Sequence, residues 1–391
     1  MTLYQAPPEI GWIQRRALLV GLASMAICVV GAIFRPDQFL RSYLLGYVFW
    51  VGIALGCLAI VMLQHLTGGG WGFVVRRLLE SAAATLPLMA VLFLPLLFGL
   101  HNLYAWARPE EVAVHASLQH KAGYLNIPFF LMRTVIYFGA WALLARLLTR
   151  WSHEQDRSPD PSWTRRLQKL SGPGLVIYGL TVTFASVDWV MSLEPEWFST
   201  IFGLLFMGGQ ALSAMAFVIA VAGYLSQYKP LLGIILPSHF HDLGKLLLAL
   251  VMIWAYFAFS QFLIVWSGNL PEEIPWYLHR MHGAWKWVGL ALVLFHFVLP
   301  FLVLLSRDLK RDAHRMIIVA LAVVFMRFVD LIWLTAPPVV ESFLLKLLLD
   351  GGLLIGLGGI WIAFYIWHLK GRPLLPLKDP YLRELLDHGH E

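Results

Sequence analysis

Cysteine is almost missing from this chain of 391 residues: Cys28 and Cys57 each stand alone inside an apolar run. There is no CxxCH for an attached haem, and no cysteine cluster for an iron–sulfur centre or zinc. Small buried thiols are the default reading, with a disulfide between the two open on count alone. Histidines number 14, yet only His296 lies centrally in an apolar block. The facing pair that a b-type haem requires is therefore missing, and the sequence predicts no redox metal bound by this chain. Charge is scarce too. Only 13% of residues are charged, against about 25% in soluble domains, so a polar exterior is excluded.

What is present instead is hydrocarbon, at 59% of residues. The apolar residues fall in ten blocks, at about 16–34, 42–64, 78–98, 128–149, 174–191, 199–224, 243–266, 284–305, 314–334 and 345–368. Each is long enough to cross about 30 Å of hydrocarbon as a helix. Few residues remain outside them, which leaves no room for a soluble catalytic domain. The expected fold is an all-α polytopic membrane protein.

Basic residues set its orientation. With ten spans, both termini share a side with loops 65–77, 146–173, 225–242 and 306–315. That side holds 20 of the 29 Lys and Arg residues, and the other side seven: Arg35, Arg41, Arg108, Lys121, Arg280, Lys286 and Lys346. Both termini are thus expected in the cytoplasm. The net charge of +6 reads as a topology signal, with no nucleic-acid partner implied. Arg15-Arg16 precede the first block, but its apolar run exceeds a signal-peptide core and no small-residue cleavage site follows. It is read as an uncleaved first helix.

An internal repeat organises the blocks. GYVFWVGIALGCLA (46–59) and GLLFMGGQALSAMA (203–216) share Gly46/Gly203, Phe49/Phe206, Gly52/Gly209, Ala54/Ala211, Leu55/Leu212 and Ala59/Ala216 in register. VDWVMSLEP (187–195) and VDLIWLTAP (329–337) both place a proline seven residues after an aspartate, putting Asp188 and Asp330 at similar depth in the outer third. The repeat predicts two related four-helix bundles, spans 2–5 and 6–9, flanked by spans 1 and 10. The corresponding divisions are 1–41, 42–191, 192–340 and 341–391. Glycines in spans 2 and 6 permit close helix packing, while Pro87 and Pro95 should bend span 3.

Ionisable groups inside spans are costly and usually mark proton, ion or ligand routes, although a locking ion pair satisfies the same residues. Arg327 and Asp330 are three apart and share a helix face. Arg133, opening span 4, is placed to reach Asp188 on span 5. Lys286, opening span 8, is placed to reach Asp330, or else to snorkel beside Trp285 and Trp287. Glu194 follows Asp188 at the helix mouth, with Glu196, Glu272, Glu273, His279 and His282 on the same side. Glu80 and Asp242 open spans 3 and 7, where helix-dipole pairing accounts for both. Between the two sides, Gln210, Ser260, Gln261 and His296 offer an incomplete polar route.

The stretch HDLGKLLLALVMIWAYFAFSQFLIVWSGNLPEEIPWYLHR (241–280), with VDWVMSLEPEWFSTIFG (187–203), resembles the membrane subunits of bacterial alternative complex III, a quinol:cytochrome c (or other electron acceptor) oxidoreductase. It is most similar to the F subunit of that complex, within the polysulfide-reductase membrane-subunit superfamily. The resemblance implies a place in the bacterial inner membrane and partners: a homologous ten-span quinol-binding subunit, an iron–sulfur subunit, haem c subunits and small membrane subunits. Iron–sulfur clusters and haem c are expected in those partners, and quinone or quinol in the sister subunit or in this one. Three readings follow. The first is a non-redox subunit in which Asp188, Asp330, Arg133, Arg327, Lys286 and Glu194 relay protons. The second is a quinone-binding subunit. The third is a stand-alone secondary transporter, against which the absence of paired unwound segments counts.

Overall fold

A long apolar segment can satisfy its backbone in hydrocarbon only by closing its hydrogen bonds internally. Each of the ten blocks does so in the computed structural model, which describes residues 4–158, 160–335 and 343–378. The ten helices are α1 (Glu9–Phe34), α2 (Pro36–Thr67), α3 (Arg76–Phe98), α4 (Ile127–Arg157), α5 (Ser162–Trp189), α6 (Phe202–Leu225), α7 (Pro237–Gly268), α8 (Trp285–Leu305), α9 (Ala313–Leu334) and α10 (Phe343–Lys370). Among the described residues no strand occurs, and all ten are long and apolar enough to cross a membrane. This is an all-α polytopic membrane protein.

Several helices outrun their apolar blocks. The expected loop 146–173 is mostly helix: α4 runs on to Arg157 and α5 begins at Ser162. At about 1.5 Å per residue, the 31 residues of α4 exceed the hydrocarbon thickness. Hydropathy reports where lipid ends, whereas the helix stops only where its backbone is capped. Pro87 and Pro95 break α3 into Arg76–Ala83, Leu86–Leu92 and Leu94–Phe98, because proline lacks the N–H and crowds the preceding turn. In α8 the turns widen to a π-helix over Leu292–Val298, just before Pro300. Such bulges often sit at functional sites, and the hydropathy pattern gives no sign of this one.

Helices α2–α5 enclose one interior, with α2 and α4 each packed on α3 and α5. Helices α6–α9 enclose a second, with α6 and α8 each packed on α7 and α9. The bundles meet where α6 lies against α2 and α5. Helix α10 rests on α2 and α3, and α1 covers α10. The most apolar window of α2 is 94% buried and that of α1 only 11%, so α2 is the central post and α1 a lipid-facing cover. Glycine makes two of these seams possible. A Cβ on Gly56 would lie 2.1 Å from the Gln210 carbonyl oxygen across the α2–α6 seam. One on Gly359 would lie 2.3 Å from the Ala17 carbonyl oxygen between α10 and α1. Pro337, the second proline of the repeat, lies outside the described residues.

Candidate functional site

The buried face of α5 carries Tyr178, Val182, Ala185, Ser186, Asp188 and Trp189, so helical periodicity itself turns Asp188 inward. Its side chain is 0% exposed. Arg133 on α4 grips it as a fork, Nε donating to Oδ2 and Nη2 to Oδ1, each at 2.8 Å. The Tyr137 hydroxyl donates to Oδ2 at 2.8 Å. Arg133 also donates to the Tyr124 carbonyl and lies over the rings of Tyr124 and Phe129, at 3.9 and 4.2 Å from their centroids. An unpaired carboxylate here would lose several kcal/mol on leaving water. Two-point charge pairing plus a phenol donor offsets that loss. The expected Arg133–Asp188 couple is present.

In the second bundle Asp330 is equally buried and pairs with Arg327, one turn earlier on α9. Trp254 on α7 donates its indole N–H to Asp330 Oδ2 at 3.1 Å. The guanidinium of Arg327 fills the space a side chain would take at Gly209 on α6. His296, fully buried in the π-helical stretch, stacks edge-on against Trp254 at 4.2 Å. Both of its ring nitrogens lack a hydrogen-bond partner among the described residues.

Lys286 does not join this group. It is exposed at the start of α8, its ammonium 5.4 Å from the Trp287 ring, and no carboxylate pairs with it among the described residues. A flexible chain at a helix end reaches the interface more cheaply than it can be buried. The expected symmetry therefore fails in one respect. The cation comes from the third helix of the first bundle but from the carboxylate's own helix in the second.

Glu194 accepts from Arg280 Nη2 at 2.7 Å. Arg280 sits on the connector helix Ile274–Met281 and also donates to the carbonyls of Trp276, Trp333 and Leu334, the last two at the end of α9. It is 1% exposed and lies over Trp276, whose ring stacks on Trp197. Burial lowers the Arg280 pKa and the charge of Glu194 raises it. Arg280 thus ties Glu194, its own connector and the end of α9 together, and Glu194 anchors this clamp rather than continuing a line from Asp188. The arginine was legible only as one of the basic residues outside the spans, since nothing local marks it as buried.

Two further clusters escape sequence reasoning. Glu80 is fully buried, where pairing with the helix dipole would leave it near solvent. It pairs with Arg76 at 3.1 Å and Arg77 at 2.7 Å and accepts from the Ser152 hydroxyl. Arg77 also pairs with Asp156. The α4 extension that carries Ser152, Gln155 and Asp156 creates this cluster. Asp242 stays half exposed beside Lys245, as expected of a helix start. On α10, Asp350 accepts from Ser42 of α2 at 2.5 Å and pairs with Lys346. Its place inside the tenth apolar block was the available signal. By helix direction Asp188, Asp330 and Asp350 all lie at the end opposite the Arg77 cluster.

A cavity of about 610 Å³ opens beside Asp330 between α7, α8 and α9. Aromatic and aliphatic side chains dominate it, with Asp330, Gln261, Trp254 and Tyr277 as polar members. Burial pushes the Tyr277 hydroxyl up to about 12. Among the described residues no three of His, Cys, Asp and Glu converge as a metal-binding group.

No protein-family model matches this chain, and no curated protein does.

Chemically, each bundle holds a carboxylate that can trade a proton only against a fixed cation. The second adds a neighbouring imidazole and a cavity for an apolar molecule. Among the described residues, no continuous hydrogen-bonded chain joins either acid to the Arg77 cluster.

Proposed function

We propose that the chain is an integral membrane subunit of an alternative complex III-type quinol:electron-acceptor oxidoreductase, taking part in proton conduction coupled to quinol oxidation. In this reading it sits in a bacterial inner membrane with both termini in the cytoplasm. The sister ten-span subunit, iron–sulfur subunit and haem c subunits supply the electron path. The observation that carries the proposal is the recurrence of a buried carboxylate–arginine couple, Asp188 with Arg133 and Asp330 with Arg327, at one end of both bundles. Ionisable groups buried within membrane spans commonly mark proton routes.

Asparagine keeps the shape of aspartate and one acceptor oxygen while removing the exchangeable proton. Asp188→Asn and Asp330→Asn should each lower the number of protons moved per electron by roughly half, the two couples being counted as equal contributors. The complex should still assemble. Reconstituted complex, with acceptor reduction and vesicle pH followed together, measures this ratio. An unchanged ratio in both variants rejects the proposal.

The cavity beside Asp330 favours a second reading, in which this chain itself takes a quinone. Its apolar walls and few convergent polar groups suit a ring with a prenyl tail. An azido-quinone irradiated in the intact complex should then label α7 or α8. Labelling restricted to the sister subunit would remove this reading and leave the first intact.

A further inference from the structure

At the other end of the molecule, α4 carries Arg146, Arg150, His153 and Arg157 at spacings of four, three and four, one stripe on a helix. They face His368 and Arg372 at the end of α10 across a cleft of about 730 Å³. Glu154, which pairs with Arg157, is the one acidic residue lining it among the described residues. Glu80 and Asp156 behind it are held by Arg76 and Arg77. Arg146 and Arg150 are exposed and make no hydrogen bond or ion pair among the described residues. Two buried polar atoms at the cleft, Arg372 Nη1 and His368 Nε2, also lack hydrogen-bond partners among the described residues, and His153 Nδ1 has only Asp156 at 4.0 Å. Buried donors without acceptors are costly, and an anion would satisfy several at once. Towards the membrane centre the lining turns apolar, with Pro87, Ala142 and Leu143, and Leu143 is 57% exposed among the lipid-facing side chains.

We propose that this cleft binds an anionic phospholipid, with its phosphodiester among Arg146, Arg150 and Arg372 and its acyl chains along Pro87, Ala142 and Leu143. A soluble phosphate would satisfy the arginines but leave the apolar half uncovered, whereas a lipid fits both halves. Basic pockets between spans at the positive side are suited to such head groups. The site is separate from both carboxylate couples and does not depend on the role proposed for them.

The test is native mass spectrometry of the full-length chain in a zwitterionic detergent, titrated separately with dioleoylphosphatidylglycerol, dioleoylphosphatidylcholine and inorganic phosphate. The glycerol lipid should be retained and the choline lipid and phosphate lost. Each arginine near an anionic head group contributes roughly fivefold, so R146Q/R150Q should weaken retention about 30-fold and R146K/R150K much less. If the double variant does not fold, R150Q alone carries the test with about a fivefold loss. Equal retention of both lipids, wild-type binding by the glutamine variants, or displacement of the lipid by inorganic phosphate overturns the proposal. Residues 379–391, which carry four acids and one arginine, are the competing occupant. Lipid binding seen only after truncation beyond Lys378 would assign the cleft to that tail and likewise overturn it.

Discussion

Replacing Arg77 with methionine is expected to cost about 3–5 kcal/mol of stability, because it strips the cation from a buried charge cluster without removing the acids. Arg77 is 1% exposed and donates to Glu80 and Ser152, besides pairing with Asp156. Without it Asp156 loses its arginine, and Glu80 keeps Arg76 and the Ser152 hydroxyl. Methionine fills much of the same volume, so the loss would come from charge more than from a cavity. The measurement is the melting of detergent-solubilised protein followed by tryptophan fluorescence. Arg77→Met with Asp156→Asn should recover a good part of the loss, since removing both charges is far cheaper than stranding one. Lys245→Met provides the contrast. Its pair with Asp242 is about half exposed, and exposed pairs contribute about 0–1 kcal/mol. If Arg77→Met melted as little shifted as Lys245→Met, the cluster would have to be hydrated, and its charges no more costly to strand than those of a surface pair.

The second large effect belongs to Gly56, where two bundles touch backbone to backbone. A Cβ there would approach the Gln210 carbonyl oxygen to 2.1 Å, its carbon to 2.6 Å and Ala214 Cβ to 2.7 Å. Two of these atoms are main chain on α6 and have no rotamer to move into. Gly56→Ala must push α2 and α6 apart along the seam, opening gaps among the residues on either side. Overpacking of this kind costs about 1–3 kcal/mol, and more where the backbone must move. Gly56→Val should exceed it. Gly139 on α4 has nothing within 4 Å of its virtual Cβ, so Gly139→Ala should leave stability unchanged or raise it by up to about 1 kcal/mol through helix propensity. Opposite signs for the two substitutions are the expected result. A neutral Gly56→Ala would mean that α2 and α6 can separate at little cost.

The same glycine contacts explain an asymmetry between the halves. Gly209 on α6 leaves the space into which the Arg327 guanidinium packs, within 2.1 Å of a virtual Cβ. The matching glycine in the first bundle, Gly52, meets Gln210 of the neighbouring bundle instead. Equivalent residues thus serve different purposes. In the second bundle the small residue makes room for the cation beside its acid, while in the first the cation arrives from α4.

Composition and spacing by themselves determined the ten helices, the distortion of α3 at its prolines and the Arg327–Asp330 couple, and they made Arg133 a candidate partner for Asp188 that helix packing then brought into contact. These follow from short-range rules: apolar run length against bilayer thickness, the missing proline N–H, and residues three apart sharing a face. The tertiary structure decided what depends on how helices turn and pack. It exposed Lys286, buried Glu80 and Asp350, drew Arg280 onto Glu194 and placed His296 in a π-helical turn. Each residue advances about 100° around a helix. A side chain therefore faces lipid or interior according to rotation and crossing, and those are set by neighbours distant in sequence.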